Sequence, residues 1–209
     1  MKLESNGIII GLRPFEERDM VARIFTRDFG VLAGMMRAAA VAKKNRPLVG
    51  QIGAVAWNAR LDSHLGTFHF ESARNLAAPL MSNAVALLYM NSAFALLIAL
   101  LPEREKYESL WDDTVTMLQD PTARYVDWEM NLLSSLGYAL DLTRCSNCGC
   151  ADNLTHVSKR TGRAVCETCA APYLDKCFSL PVDLNATRFF LARAAEEQGV
   201  TLPHARTMV

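Results

Sequence analysis

A chain of 209 residues, 51% of them hydrophobic, is long enough for one large domain or two small ones with their own cores, and too apolar to stay disordered. Its 22 Lys and Arg balance 22 Asp and Glu, which excludes a uniformly basic or acidic body. The stretch Met1 to Ile10 is charged and then strand-like, without the apolar segment and cleavage site of a secretory signal, so the chain reads as cytoplasmic.

The first 75 residues read as short strands separated by turns. Gly7 to Leu12 is a β-rich run that Arg13-Pro14 breaks, and Met20 to Thr26 is a second. Asp28-Phe29-Gly30 supplies a hairpin turn into Val31 to Met36. Gly53 to Leu61 is a fourth run, Asp62-Ser63-His64 a turn, and Leu65 to Ser72 a fifth, whose alternation points Phe68 and Phe70 at a core. Five short antiparallel strands fit a small closed barrel, of which the OB-fold is the commonest five-stranded form, and this assigns residues 1–78 to an OB-fold domain in an α+β protein. Between the third and fourth strands, Arg37, Lys43, Lys44 and Arg46 lie on a segment with no apolar periodicity. Such a loop suits phosphate contacts, each of which releases counterions and makes binding salt-dependent; four cations in a loop are equally ordinary for a solvated surface.

From about Ala78 the periodicity turns helical, and residues 79–209 form a helical domain. Ser82 to Leu101 is the most apolar stretch. Tyr89, Asn91 and Ser92 interrupt it and Pro102-Glu103 closes it, so it reads as a buried helix rather than a membrane span. Tyr107 to Leu118 is a second helix. Asp120-Pro121 suits the cap and first position of a third, which carries Tyr125, Trp128, Leu132 and Leu136 on one face and ends at Gly137. Pro181 and Asp183 open a last helix to Gln198, with Gly199 beyond it.

Inserted between those helices, at about residues 144–172, are two knuckles, Cys145-x-x-Cys148 and Cys166-x-x-Cys169. Each folds into a tight turn that aims two sulfurs at one point, so Cys145, Cys148, Cys166 and Cys169 are the expected ligands of one tetrahedral structural Zn2+. The turn-rich Lys159 to Arg163 forms the tip of the intervening hairpin. Cys150 is an alternative to Cys148, though the two-residue spacing favours Cys148; Cys177 lies further on. Four thiolates leave no open coordination position, which argues for a folding staple and against a hydrolase. A redox pair lacks its βαβ context, and nothing supports the oxidising compartment that a disulfide framework needs.

Charge is unevenly spread. Residues 1–78 carry 11 Lys or Arg against 7 Asp or Glu, residues 79–143 carry 3 against 9, and residues 144–180 carry 5 against 3. A basic N-terminal part and a basic cysteine segment flank an acidic middle, which suggests an anionic partner at one face. No catalytic constellation emerges. The histidines His64, His69, His156 and His204 are scattered, and neither a phosphate-cradling glycine loop nor a nucleophile elbow is present, so the chain reads as a binding protein and not an enzyme.

Several stretches, in order, resemble the RecO family of bacterial recombination mediators. These are Gly7 to Asp19 with Arg13-Pro14, Phe25-Thr26-Arg27-Asp28-Phe29-Gly30, Arg60 to Thr67, Leu136-Gly137 to Leu142, and Ser158 to Gly162. The resemblance spans nearly the whole chain. It implies an OB-fold, a helical domain and a four-cysteine zinc module. It also implies binding and annealing of single- and double-stranded DNA. With the partner RecR, such proteins assist RecA loading onto DNA coated by single-stranded DNA-binding protein, whose acidic tail they bind. No covalent bond is made or broken, and the location implied is the bacterial cytoplasm at the nucleoid. Carried onto this sequence, the resemblance nominates Arg37, Lys43, Lys44 and Arg46 as DNA contacts, with Arg13 and Arg27 as additions from the barrel. Where the family usually has an Arg-Gly-Ala-Arg-like run, this chain has Arg37-Ala38-Ala39-Ala40, so one cation is missing. A zinc-stapled RNA-binding or translation-associated module is the competing reading, because OB barrels and zinc ribbons also recognise RNA.

Overall fold

The computed structural model describes residues 1–42, 46–60 and 65–209. Five strands come first: β1 Lys2–Phe15, β2 Asp19–Thr26, β3 Gly30–Met36, β4 Gln51–Asn58 and β5 Gly66–Asn75. They close into a barrel in the order β1-β2-β3-β5-β4. Every neighbour is antiparallel except β3 and β5, which close the barrel in parallel through Gly34 opposite Gly66 and Met35 opposite Thr67. Glycine is needed at this seam: a Cβ on Gly66 would lie 2.1 Å from the Trp57 ring, and one on Gly34 would lie 2.7 Å from Phe68.

Strand β1 runs through Arg13-Pro14, where the sequence suggests a break. Its first half pairs with β4 as far as Ile8, while its second half pairs only with β2, with Pro14 opposite Met20. At that stage one edge of β1 has no partner strand, the setting in which a strand tolerates proline.

The consecutive isoleucines Ile8, Ile9 and Ile10 are all buried because β1 has protein on both faces. Ile9 points into the barrel with Ile24, Leu32, Val55, Trp57 and Phe68. Ile8 and Ile10 point outward and, with Phe25 and Val31, join the core of the helical body. Phe25 sits 5.6 Å from the Trp111 ring, so barrel and helices share one apolar interior. Phe68 is buried as its alternation requires, and Phe70 is half-buried against the same barrel core.

The helical body contains α1 Ala84–Leu100, α2 Glu108–Met117 and α3 Pro121–Ser135. The Asn83 side chain caps α1, accepting from the N–H groups of Val85 and Ala86, and Asp120 caps α3, accepting from Ala123 N–H. Trp128 donates to Thr114 Oγ1 at 2.9 Å and Tyr125 to Ser92 Oγ, which satisfies the polar tips of two buried aromatics. A small sheet follows, with β6 Leu154–Ser158 at its centre, β7 Ala164–Cys166 on one side and, past the short helix α4 Glu167–Ala170, β8 Cys177–Ser179 on the other. Cys177–Ser179, past residue 172, thus adds a third strand to this sheet. Helix α5 Leu184–Glu197, capped by Asp183, returns to pack on α3, and the short α6 His204–Thr207 ends against α1. No helix among the described residues is long and apolar enough to cross a membrane.

Candidate metal centre and nucleic-acid interface

Backbone geometry gathers the cysteines. Cys145 N–H donates to the Cys150 carbonyl at 2.8 Å, and Gly149 N–H to the Cys145 carbonyl at 2.9 Å. Gly149 has φ +78°, a left-handed conformation that turns the chain tightly enough to bring Cys150 back beside Cys145. Ser146 N–H donates to the Ala164 carbonyl, which ties this knuckle to β7, the strand that ends in Cys166. The Sγ atoms of Cys145, Cys148, Cys150 and Cys166 all lie within 4.8 Å of one another. Cys148 Sγ is 3.4 Å from Cys150 Sγ and 3.7 Å from Cys166 Sγ. A tetrahedral zinc–thiolate site, with bonds of about 2.3 Å, needs sulfurs about 3.8 Å apart, and separations between 3.4 and 4.8 Å come near that requirement.

Three of the four expected ligands are thus brought together, and Cys150 joins them. Cys169, on α4, adjoins the group without belonging to that closest four. The two-residue spacing in the sequence favours Cys148 over Cys150; in space the turn at Gly149 brings both into the closest four.

The thiols divide in chemistry. Backbone N–H donors from Cys148 and Cys166 pull the Cys145 thiol down to about 5, and the Cys150 backbone lowers Cys148, so both favour the thiolate that a metal requires. Cys150 is pushed up to about 12, first by its hydrogen bond with Cys148 and then by burial. Cys169 rises to about 11: an Asn147 hydrogen bond pulls it down, but Cys166, Cys148, burial and Cys145 together outweigh that pull. Several thiols packed this closely cannot all ionise without a cation, and a divalent metal removes the conflict.

The nominated DNA contacts are dispersed. Lys43 and Lys44 lie outside the described residues. Arg13, Arg37 and Arg46 are exposed. Arg37, however, borders a cleft shared with Glu16, Glu17, Arg18 and Asp19, so its surroundings are of mixed sign. Ala38 stands at φ +54°, held by its N–H donating to Asp19 Oδ1 at 2.7 Å. Ala39 and Ala40 pack against the barrel core, so the position of the missing cation serves packing here.

Arg27 is exposed as well, but it lies 3.7 Å from Glu108 and 3.8 Å from Asp112 on α2. Arg23 likewise pairs with Glu103 at 2.7 Å. Part of the basic-against-acidic split in the sequence is therefore answered within the molecule, by the barrel facing the helices. Aromatic platforms on the barrel are few: Trp57 is fully buried and donates to the Ala33 carbonyl at 2.9 Å, leaving Phe15 as its exposed large aromatic among the described residues.

One polar network has no signal in the sequence. Glu129 and Arg206, both fully buried, form a two-pronged ion pair across 77 positions, with Thr187 donating to Glu129 Oε2 and Arg206 Nη2 also reaching the Leu184 carbonyl. Burial raises the Glu129 carboxyl, against the opposing pull of Arg206. This pair pins α6 to the helical body. Both side chains are wholly shielded from solvent.

Comparison with known proteins covers both halves of the chain. A family model for the recombination protein O N terminal matches residues 1–75, and one for the recombination protein O C terminal matches residues 81–197. The chain is 35% identical over 232 residues to the DNA repair protein RecO of Rhizobium rhizogenes, covering 99% of this chain and 89% of that protein. It is 38% identical over 185 residues to the RecO of Dinoroseobacter shibae, covering 84% and 76%. For Hyphomonas neptunium the figures are 37% over 190 residues, 87% and 78%.

Proposed function

The chain belongs to the RecO family of DNA repair proteins, and from that premise we propose that it is a recombination mediator that works by binding rather than by catalysis. Its closed five-stranded barrel serves as an OB-fold for single-stranded DNA, which it anneals to a complementary strand. With RecR it assists RecA loading onto DNA coated by single-stranded DNA-binding protein, whose acidic tail docks on the helical body. The work is divided between a DNA-binding unit through about residue 78 and a helical unit beyond it, in the bacterial cytoplasm.

The observation that carries this reading is the pair of exposed arginines, Arg37 and Arg46, flanking the β3–β4 loop on a closed barrel. Lys43 and Lys44, between them in sequence, belong to the same proposed contact. With few exposed aromatics on the barrel, phosphate contacts rather than base stacking dominate there, so binding is strongly salt-dependent and tolerant of sequence. Titration of labelled single-stranded DNA across a salt series tests it. Replacing Arg37, Lys43, Lys44 and Arg46 by Ala should flatten the slope of log affinity against log salt by roughly 0.7 for each phosphate no longer neutralised. An unchanged slope would remove the loop from the interface, and preferential binding of RNA of equal length would favour the RNA-binding alternative.

The cysteine site is proposed to hold one structural zinc. Cys145, Cys148 and Cys166 are three of its ligands, and Cys150 or Cys169 is the fourth. The metal supplies a cross-link and charge neutralisation; no reaction step is assigned to it.

A further inference from the structure

We propose that the cysteine module carries a second groove for a single-stranded polynucleotide, in which Arg160, Arg163 and Lys176 hold phosphates and Tyr173 supports a base. The choice of ligand class rests on the reading of this protein as a DNA-binding one. The site itself is separate from the barrel loop and stands on different residues.

A cleft of about 620 Å³ lies beside the cysteine cluster, between the β6–β7 hairpin tip and the turn that leads into β8. Three cations line it and no carboxylate does, whereas three carboxylates share the cleft at Arg37. Arg160 and Lys176 make no ion pair with any described residue, and both are exposed. Arg163 is held by Asp141 through Nε and Nη2 at 3.3 and 3.2 Å, which fixes the guanidinium plane and leaves Nη1 to point elsewhere. Its charge is partly offset by that carboxylate, so Arg160 and Lys176 supply most of the local potential.

Tyr173 is 54% exposed, with the Lys176 ammonium 5.8 Å from the ring centre. An exposed aromatic flanked by unpaired cations is the arrangement that sequence-tolerant single-strand binding uses, with a π-face for any base and charges for the backbone. Ser146, Asn147 and Ser158 on the same cleft offer hydroxyl and amide groups to base edges or sugar.

The groove is preorganised. Arg193 of α5 donates to the Lys159 and Arg160 carbonyls at 2.8 and 3.2 Å, clamping the hairpin tip. Lys159 reaches the Asp175 carbonyl at 2.8 Å, bridging the tip to the opposite wall. A rigid cationic groove loses little entropy on binding. An acidic peptide would satisfy the cations as well, but it has no use for the exposed ring between them.

The test uses the full-length, metal-loaded protein and a fluorescein-labelled oligothymidylate, with metal content and thermal melting measured on every variant to show that the module stays folded. Arg160→Ala with Lys176→Ala should reduce the salt slope by about 1.4, two phosphates at roughly 0.7 each. Tyr173→Ala should weaken binding about tenfold at an unchanged slope, with Tyr173→Phe near wild type, because stacking needs the ring and not the hydroxyl. If a folded Arg160→Ala, Lys176→Ala protein binds oligothymidylate with wild-type slope and affinity, the proposal is overturned. It is equally overturned if that protein keeps oligothymidylate but loses a glutamate-rich peptide that the wild type binds, since the groove is then a peptide site. Should the barrel-loop variant bind as wild type while the groove variant fails, the groove assignment stands and the barrel reading falls.

Discussion

Among the described residues the barrel encloses nine buried residues around the fully buried Trp57, whereas the cluster that the cysteine module has to itself buries Cys145, Val165, Cys166 and Ala170. Burying apolar surface contributes about 25 cal/mol per Å², so the second set contributes much less than the first, and the small sheet leans on the helical body through Val157 and Phe178. The outer face of the barrel is also pressed into the helical body through Ile8, Ile10, Phe25 and Val31. The two regions differ in kind: one has a continuous apolar interior, the other gathers thiols that the proposed metal would cross-link. The contrast extends to charge, because the arginines Arg23 and Arg27 are engaged by carboxylates of the body while Arg160 and Lys176 are left to solvent.

Metal removal should separate the two regions most sharply. If the proposed zinc is bound, a chelator should strip the module of apparent folding free energy on the order of 10 kcal/mol. Hydrogen exchange should then show the amides of Leu154–Ser158 and Ala164–Cys166 losing protection while those of Asp19–Thr26 keep theirs. Retained protection in the small sheet would mean that it stands without a cross-link.

Next in size, Phe25→Ala removes the ring that meets Trp111 and should cost about 3–5 kcal/mol, with the barrel and α2 melting in one transition. Two resolved transitions in a calorimeter would show that the shared interior does not couple them.

Smaller still is the choice of fourth ligand. With cobalt in place of zinc, Cys150→Ser and Cys169→Ser should each keep a four-thiolate charge-transfer band, because the remaining sulfur occupies the vacated position. The double variant should lose intensity and bind metal more weakly. A single substitution that by itself abolishes the band identifies the sole fourth ligand.

The smallest effect is at Ala38, whose left-handed backbone costs a side chain about 1–2 kcal/mol while glycine in its place carries an entropic cost of about 0.5–1 kcal/mol. Ala38→Gly should stabilise the barrel by roughly 0.5 kcal/mol, visible as a small rise in denaturation midpoint at constant slope. A fall in midpoint would mean that the Asp19 hydrogen bond already absorbs the strain.

Much of this was legible locally. Asp120 and Asp183 cap the helices they precede, Gly137 and Gly199 follow helix ends at φ +86° and +71°, and β2 and β3 flank the Asp28-Phe29-Gly30 turn. These features depend on neighbours within a turn or two of chain. Arg13-Pro14 misled because a proline breaks a strand only where a partner needs its N–H, and the partner is a tertiary matter. Gly30 likewise looked like a turn residue alone, yet a Cβ there would strike the Glu105 carbonyl at 1.8 Å, which records the linker to the helices lying against the hairpin.

By itself the order of residues determined the five strands, the main helices with the caps Asp120 and Asp183, the clustering of cysteines, and, through its motifs, family membership; each is encoded in periodicity or short spacing. Only the tertiary structure decided that Cys150 enters the thiol group, that Arg27 faces Glu108 and Asp112, and that Glu129 meets Arg206. Those outcomes depend on which surfaces pack. Charge partners and metal ligands are selected by distance in space, which spacing along a chain constrains only within a single turn.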